Sequence, residues 1–576
     1  VGKHSAQQLI LSSALFSKKA NIGRVILIAV PLLFLGAFFY LPLIQLVARG
    51  VTSSEGFSLE RVGSVFSNAY LQHVLIFTLK QALLSMLCSV LIGFGLAYFL
   101  SHFEFPGRRL LKTLALVPFA LPPVAAALGF VLVFGRSGAL NQTLMGLFGL
   151  QEPPVQILYS LSGIILAHAF YNAPIVARFV TAAWERLPMR YEESALSLGA
   201  PRWRIFLNIT LPMLMPGLIS GATLAFIYSF LSFPIVLAIG GAQFSTIEVE
   251  IYRRALIQID TAGAAALATV ALIFSLLFTA LYLWAERFYA HRLRAMVTRP
   301  RKPLFANLKS ALSPRRWPLY LLIFITLFFF FAPLAGVLVD SITRQTGDHT
   351  TLTLDWYGQV FNPSYSALVS ASPLQSIWNS LLFGLATMSI ALSFGTITSF
   401  ILSRPHLRGR VGLEAIAMAP LAASPVAFGL ALLWSSAQTP LQSAWFAIVI
   451  AHSVLAIPFV IRAVRPALSQ FDVRLYEAAR SLGASQIRSV LDIVLPLIRG
   501  SLLAGAAFAF AISIAEMSAT IMLVQPETLT MPVSVYYLLS SRQFGAASAM
   551  SVVMMLVLAF SFLLIERFGE RRIGLL

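Results

Sequence analysis

Apolar residues run through this chain in long blocks, parted by short polar stretches. Blocks of 18 or more nearly uncharged residues lie near 25–48, 74–101, 113–134, 158–182, 214–239, 263–285, 317–339, 377–402, 414–434, 443–467, 499–523 and 546–565. Each is long enough to cross a hydrocarbon layer of about 30 Å as a helix. They are too long, and too rich in Leu, Phe, Ala and Gly, for barrel strands, which alternate in short segments. The pattern predicts an all-α polytopic membrane protein with about twelve transmembrane helices. The first block is too long for the apolar region of a signal peptide and lacks a convincing cleavage site, so it reads as a retained span.

The polar stretches repeat. Adding 284 carries His168 to His452, Pro174 to Pro458, Arg178 to Arg462, Glu193 to Glu477, Gly199 to Gly483, Pro212 to Pro496, Gly221 to Gly505, Thr246 to Thr530 and Tyr252 to Tyr536. Upstream the offset is 302, pairing Gly107, Pro118 and Pro123 with Gly409, Pro420 and Pro425. Two halves of six spans each begin on the same side, so the repeats are parallel, and such pairs commonly enclose a solute pathway. The expected organisation is an N-terminal segment 1–24, a first half 25–285, a basic linker 286–316, a second half 317–565 and a tail 566–576.

Charge then orients the chain. The composition is 58% hydrophobic and 11% charged, with a net charge of +19. In a soluble protein that excess would suggest nucleic acid. Here Lys and Arg sit at span ends and in alternate loops, which is the cytoplasmic bias of membrane proteins, so no nucleic-acid partner is expected. The linker carries nine Lys or Arg against Glu286 alone; it also suits a membrane-surface segment in contact with lipid. Lys18, Lys19 and Arg24 place the N-terminus in the cytoplasm, and an even span count returns the C-terminus there. Cys88 is the single cysteine, so neither a disulfide framework nor a cysteine metal cluster is available.

One interruption occurs twice with the same spacing. "EESALSLGAPRWRIFLNITLP" at 192–212 and "YEAARSLGASQIRSVLDIVLP" at 476–496 both read Glu-x-Ala, three residues, Gly, nine residues, Ile-x-Leu-Pro. The six positions are Glu193, Ala195, Gly199, Ile209, Leu211 and Pro212, then Glu477, Ala479, Gly483, Ile493, Leu495 and Pro496. Short helices are predicted over Tyr191–Leu198 and Tyr476–Leu482, with acidic residues in the first turn. Gly199 and Gly483 end them in left-handed conformation, Pro201 suits the first turn of the next helix and Ser485 can cap its counterpart. Loop topology places both segments in the cytoplasm, where a short rigid knob suits helix-in-groove recognition by another protein.

These paired motifs resemble the EAA loops of the membrane subunits of binding-protein-dependent ABC importers of the type I fold. The resemblance extends over nearly the whole chain, to the fused permeases of ferric-iron and thiamine importers. "FPGRRLLKTLALVPFALP", "FGRSGALN", "GIILAHAFYNAPIVARF" and "STIEVEIYRRA" look most like the thiamine branch. It implies that Glu193 to Gly199 and Glu477 to Gly483 are coupling helices docked on two cytoplasmic ABC ATPase subunits. It also implies a periplasmic solute-binding protein as partner and the bacterial inner membrane as location. Ser194 departs from the usual Ala, which Ala478 keeps in the second copy. The chain lacks a G-x-x-x-x-G-K-[ST] phosphate loop, so ATP and Mg are expected on the partners and no cofactor on this chain.

Polar groups within apolar spans are candidates for the solute path: Glu516, Ser513, Ser232 and Ser229. Glu516 is the sharpest, because a carboxylate in a membrane usually faces a cavity or a partner. It can meet a cationic solute, pair with an Arg or sit at the wet end of span eleven. Its counterpart is Ser232. His168 and His452 hold equivalent places, which favours a shared packing bond over a metal site. The expected activity is import of thiamine or a related small cation, with ferric iron as the alternative and an ion-coupled secondary transporter as a different class. No ordered nucleophile, base and orienting group suggests an enzyme.

Overall fold

The computed structural model describes residues 21–569 apart from 54–55, 106–107, 109–121, 242, 291–301, 304–316, 347–348, 363–371, 404–408 and 437–442. Most of the basic linker, Gly107, Pro118, most of the N-terminal segment and most of the tail lie outside the described residues. Within them, ten helices are long and apolar enough to cross a membrane, and two sharply bent pairs bring the number to twelve if each counts as one span. The polytopic all-α class is therefore as the apolar blocks predicted.

Five helices of each half carry the repeated loops and the polar groups within the spans. In the first half they are α1 (Ala69–His102), α2 (Leu161–Glu185), α3 (Met189–Ser197), α4 (Leu211–Phe230) and α5 (Pro234–Ile239). In the second they are α6 (Pro373–Leu402), α7 (Ala444–Gln470), α8 (Val473–Ser481), α9 (Arg499–Ala515) and α10 (Thr520–Leu523). The two sets correspond one to one.

The contacts divide the chain into two compact units that interleave along the sequence. One comprises residues 1–58, 359–534 and 553–576, the other 59–358 and 535–552. Each half's first span is thus grouped with the other half's helices. In the former unit Phe34 stacks on Phe394 with ring centroids 4.2 Å apart, and the Tyr40 hydroxyl donates to the Ile416 carbonyl at 3.0 Å. In the latter, an ideal Cβ on Gly336 would lie 2.8 Å from Val133 Cγ2. Apolar periodicity carries no record of such an exchange.

Within each unit three long helices form the core by close backbone approach. In the unit containing α1, α2 and α4, a Cβ on Gly93 would fall 2.6 Å from the Ala173 carbonyl and 2.8 Å from Val176 Cβ, and one on Gly221 2.9 Å from Val176 Cα. In the unit containing α6, α7 and α9, a Cβ on Gly395 would fall 2.7 Å from Val460 Cβ, and one on Gly505 3.3 Å from Val460 Cγ1. One valine is clasped by two glycines in each unit. Lipid offers apolar side chains no hydrophobic reason to associate, so this steric fit supplies much of the attraction. Gly93→Ala is expected to cost about 1–3 kcal/mol through overpacking, read as a lower melting temperature of the detergent-solubilised protein. Gly412→Ala, where a new methyl meets nothing within 4 Å, is the control expected to leave melting unchanged.

Three spans differ from the continuous helices that hydropathy predicted. The one near 414–434 is bent by 97° between Arg410–Ala422 and Pro425–Ser436. The one near 214–239 starts earlier, at Arg202, and stops at Phe230, with α5 following after a break. Pro234 has no N–H to continue the ladder and opens the new helix instead. The one near 499–523 breaks after Ala515, where the Glu516 side chain takes backbone N–H groups that the helix would otherwise use. The block near 113–134 is described only from Pro122 onward, and its helix joins Ala139–Phe148 as one candidate span.

Candidate coupling loops and helix breaks

The two repeated loops fold alike. Helix α3 ends with Gly199 N–H bonded to the Leu196 carbonyl at 2.9 Å and Ala200 N–H to the Ala195 carbonyl at 3.0 Å. Helix α8 ends with Gly483 N–H on the Arg480 carbonyl at 3.1 Å and Ala484 N–H on the Ala479 carbonyl at 3.0 Å. These are paired Schellman closures, and they require left-handed residues, supplied at φ +80° by Gly199 and +91° by Gly483. The alanines of the Glu-x-Ala pattern thus give their carbonyls to the closure. One helical turn of π type follows in each copy, Phe206–Thr210 and Val490–Val494, at the root of the next span.

Two local expectations shift. Glu192 lies in the first turn of α3, but α8 begins at Val473, because Asp472 caps it by accepting from Arg474 N–H at 3.1 Å. Glu477 therefore falls mid-helix. Hydrogen bonds from the Arg474 side chain and backbone also hold the Asp472 carboxyl below the usual carboxylate range. Pro201 stands at the cap position, one residue before the helix Arg202–Ile205, while Ser485 caps the equivalent helix by accepting from Arg488 N–H at 3.2 Å.

Each loop is fixed to its own base and apolar at its tip. Thr210 Oγ1 donates to Glu192 Oε1 at 2.7 Å in the first copy, and Tyr476, the residue equivalent to Glu192, is buried in the second. Leu198 and Leu482, equivalent residues just before the turn glycines, are 87% and 89% exposed. Trp203 and its counterpart Ile487 are exposed beside them. Glu193 is exposed and Glu477 half-buried.

The residues singled out within the spans gather at the breaks. Glu516 Oε1 accepts from Ala519 N–H at 2.8 Å, and Oε2 accepts from Thr520 N–H at 2.9 Å and Thr520 Oγ1 at 2.7 Å, so the carboxylate caps α10. His452 bonds Ser513 Oγ through Nδ1 and Thr520 Oγ1 through Nε2, each at 2.7 Å, with Glu516 Oε2 3.5 Å from Nε2. In the other unit, His168 Nδ1 meets Ser85 Oγ at 3.1 Å and Ser229 Oγ accepts from Asn172 at 3.0 Å, while Ser232 sits in the break itself. Glu516→Ala is expected to cost about 1–3 kcal/mol by leaving buried donors without an acceptor. Ser232→Ala should cost a few tenths at most; comparative melting separates them.

A family model described as "binding-protein-dependent transport system inner membrane component" matches residues 89–294 and again 314–574. The chain belongs to that family. Similar proteins include the ferric transport system permease protein of Actinobacillus pleuropneumoniae, 26% identical over 550 residues, 94% of this chain and 78% of the relative. The thiamine transport system permease protein of Escherichia coli K12 is 28% identical over 524 residues, 88% and 91% of the two chains. A putative 2-aminoethylphosphonate transport system permease protein of Salmonella choleraesuis is 30% identical over 263 residues, 46% of this chain and 92% of its own. The double match makes this chain a fused two-half permease of a binding-protein-dependent importer, and removes the secondary-transporter alternative.

One cluster of this permease escaped sequence reasoning. Glu250 is buried; its Oε2 accepts from the Tyr70 hydroxyl at 2.9 Å and its Oε1 from Arg254 Nε at 3.1 Å. Arg254 also donates to Asp260 Oδ2 at 2.9 Å, and Asp260 Oδ1 receives Gly263 N–H at 2.9 Å. "STIEVEIYRRA" carries the signal, since Glu and Arg four apart form a helical pair. Nothing local tells that such a pair is buried. Among the described residues no group of three or more His, Cys, Asp or Glu is placed to hold a metal ion.

Proposed function

We propose that this permease is driven by two cytoplasmic ABC ATPase subunits and receives thiamine or a related small cation from a periplasmic binding protein. The observation that carries the coupling role is the duplicated helix and Schellman turn with an exposed leucine at each tip. ATP and Mg act on the partner subunits, and this chain contributes docking and a path. The ATPases, closing on ATP, move both loops together, and the stiff turn transmits that motion into the spans rooted at 202 and 486. ATP and the loaded binding protein must both favour the outward-facing state, since a ligand with equal affinity for two states shifts neither. Both termini are cytoplasmic in this reading, following the basic segments at each end.

The spans carry Ser229 and Ser232 in one half and Ser513 and Glu516 in the other, an unequal set suited to an asymmetric solute. The ferric relative, matching over 94% of the chain, supports ferric iron as the second reading. Uptake into proteoliposomes holding the complete complex and its binding protein separates the two. Accumulation of labelled thiamine with no ferric accumulation is expected; ferric accumulation alone would replace the cargo and retain the permease.

A further inference from the structure

In the unit containing α1, α2 and α4, five polar side chains close a ring where the three helices meet. Gln81 and Ser85 lie one turn apart on α1, and His168 and Asn172 one turn apart on α2. Ser85 Oγ meets His168 Nδ1 at 3.1 Å, Asn172 Nδ2 donates to Ser229 Oγ at 3.0 Å, and Gln81 Nε2 donates to the Ser229 carbonyl at 2.8 Å, which returns the ring to α1. All five residues are at most 3% exposed. Two of the ring's atoms, Gln81 Oε1 and His168 Nε2, are buried and meet no hydrogen-bond partner.

Both unmatched atoms need a partner that a small polar molecule can supply. Gln81 Nε2 donates to two backbone carbonyls, those of Thr78 at 3.1 Å and Ser229 at 2.8 Å, so the amide orientation is fixed and Oε1 is an acceptor in need of a donor. His168 Nδ1 shares one hydrogen bond with Ser85 Oγ; in the tautomer where Ser85 donates, Nε2 carries the proton and needs an acceptor, and in the other Nε2 needs a donor. Buried polar groups seldom stay unpaired, and an ordered molecule is the usual partner when protein supplies none.

The other repeat shows what is missing. At the positions of Gln81, Ser85, Asn172, Ser232 and Val236 it has Phe383, Thr387, Ala456, Glu516 and Thr520. There the histidine Nε2 is matched by the Thr520 hydroxyl at 2.7 Å, and Phe383 takes the place of the glutamine. That ring closes with protein groups alone. In the first repeat Ser232 is too short to fill the volume of the Glu516 carboxylate, and Val236 has no hydroxyl to offer, although α5 packs on α2 as α10 packs on α7.

We propose that the first repeat binds an ordered water in this ring, hydrogen-bonded to His168 Nε2 and donating to Gln81 Oε1. The water does there what the Thr520 hydroxyl does in the second repeat. The first ring can therefore exchange its bridging partner, whereas opening the second strands the Glu516 carboxylate.

The test is a cryo-electron microscopy map of the assembled transporter in lipid nanodiscs, at a resolution that shows waters, joined to reciprocal variants. A density peak about 2.7–3.2 Å from both atoms is expected. Val236→Thr should supply the missing hydroxyl, displace the peak and leave the melting temperature unchanged or higher, although a hydroxyl placed in an apolar site ordinarily destabilises. Thr520→Val should lower it. An ordered Gln81 and His168 with no peak between them, or a Val236→Thr protein that melts lower and keeps the peak, would overturn the proposal.

Discussion

Replacing Leu198 and Leu482 together by Asp is expected to abolish ATP-driven uptake while leaving the membrane helices folded. The two leucines stand at equivalent places before the turn glycines, 87% and 89% exposed, so the isolated permease loses almost no packing. In the assembled complex each would be buried against an ATPase subunit, where a leucine contributes about 1.5–3 kcal/mol. An aspartate there forfeits that term and adds the cost of desolvating a charge. At about 1.4 kcal/mol per tenfold, docking weakens by roughly ten- to a hundredfold at each loop before the charge is counted. Copurification of tagged permease with its ATPases should fail while the permease melts normally. Intact copurification and uptake in the double variant would remove the leucines from the interface.

The second large effect is on stability. Arg254→Met removes the guanidinium that pairs with Glu250, whose side chain is 1% exposed, and leaves the Tyr70 hydroxyl bond in place. Breaking a buried ion pair from one side typically costs about 3–5 kcal/mol, whereas replacing both partners is often neutral. The second half supplies the uncharged version, because Ser534 and Leu538 occupy the equivalent positions. Glu250→Ser with Arg254→Leu is therefore expected to recover most of the stability lost in Arg254→Met. Equal melting of the single variant and the parent would show that Glu250 is neutral or otherwise compensated.

How far these features were legible in the sequence depends on how local their causes are. The two repeated loops were readable because a turn needing left-handed backbone demands glycine, and Gly199 and Gly483 keep one register with the glutamates and prolines around them. The start of α8 was misplaced because Asp472, outside the repeated pattern, caps it earlier than the glutamate spacing suggested. The breaks at 231–233 and after Ala515 were hidden by hydropathy, since Leu, Phe, Met and Ala continue across them. Glu516 drew notice as a carboxylate in a span, but its capping of α10 depends on side-chain geometry that composition does not carry. The burial of Glu250 depends on Tyr70, 180 residues earlier in the chain, and the exchange of first spans between units is likewise nonlocal. The repeat hints only at the first of these, because Ser534 and Leu538 stand where the first half keeps Glu250 and Arg254.

In the proposed function this chain couples ATP hydrolysis on partner subunits to solute delivery by a binding protein. The most direct measurement is the ATPase rate of the complete complex in proteoliposomes, with and without solute-loaded binding protein, for the parent and for Leu198→Asp/Leu482→Asp. Stimulation by the loaded binding protein is expected in the parent and none in the variant. Equal stimulation in both, with the ATPase subunits still bound, would contradict it.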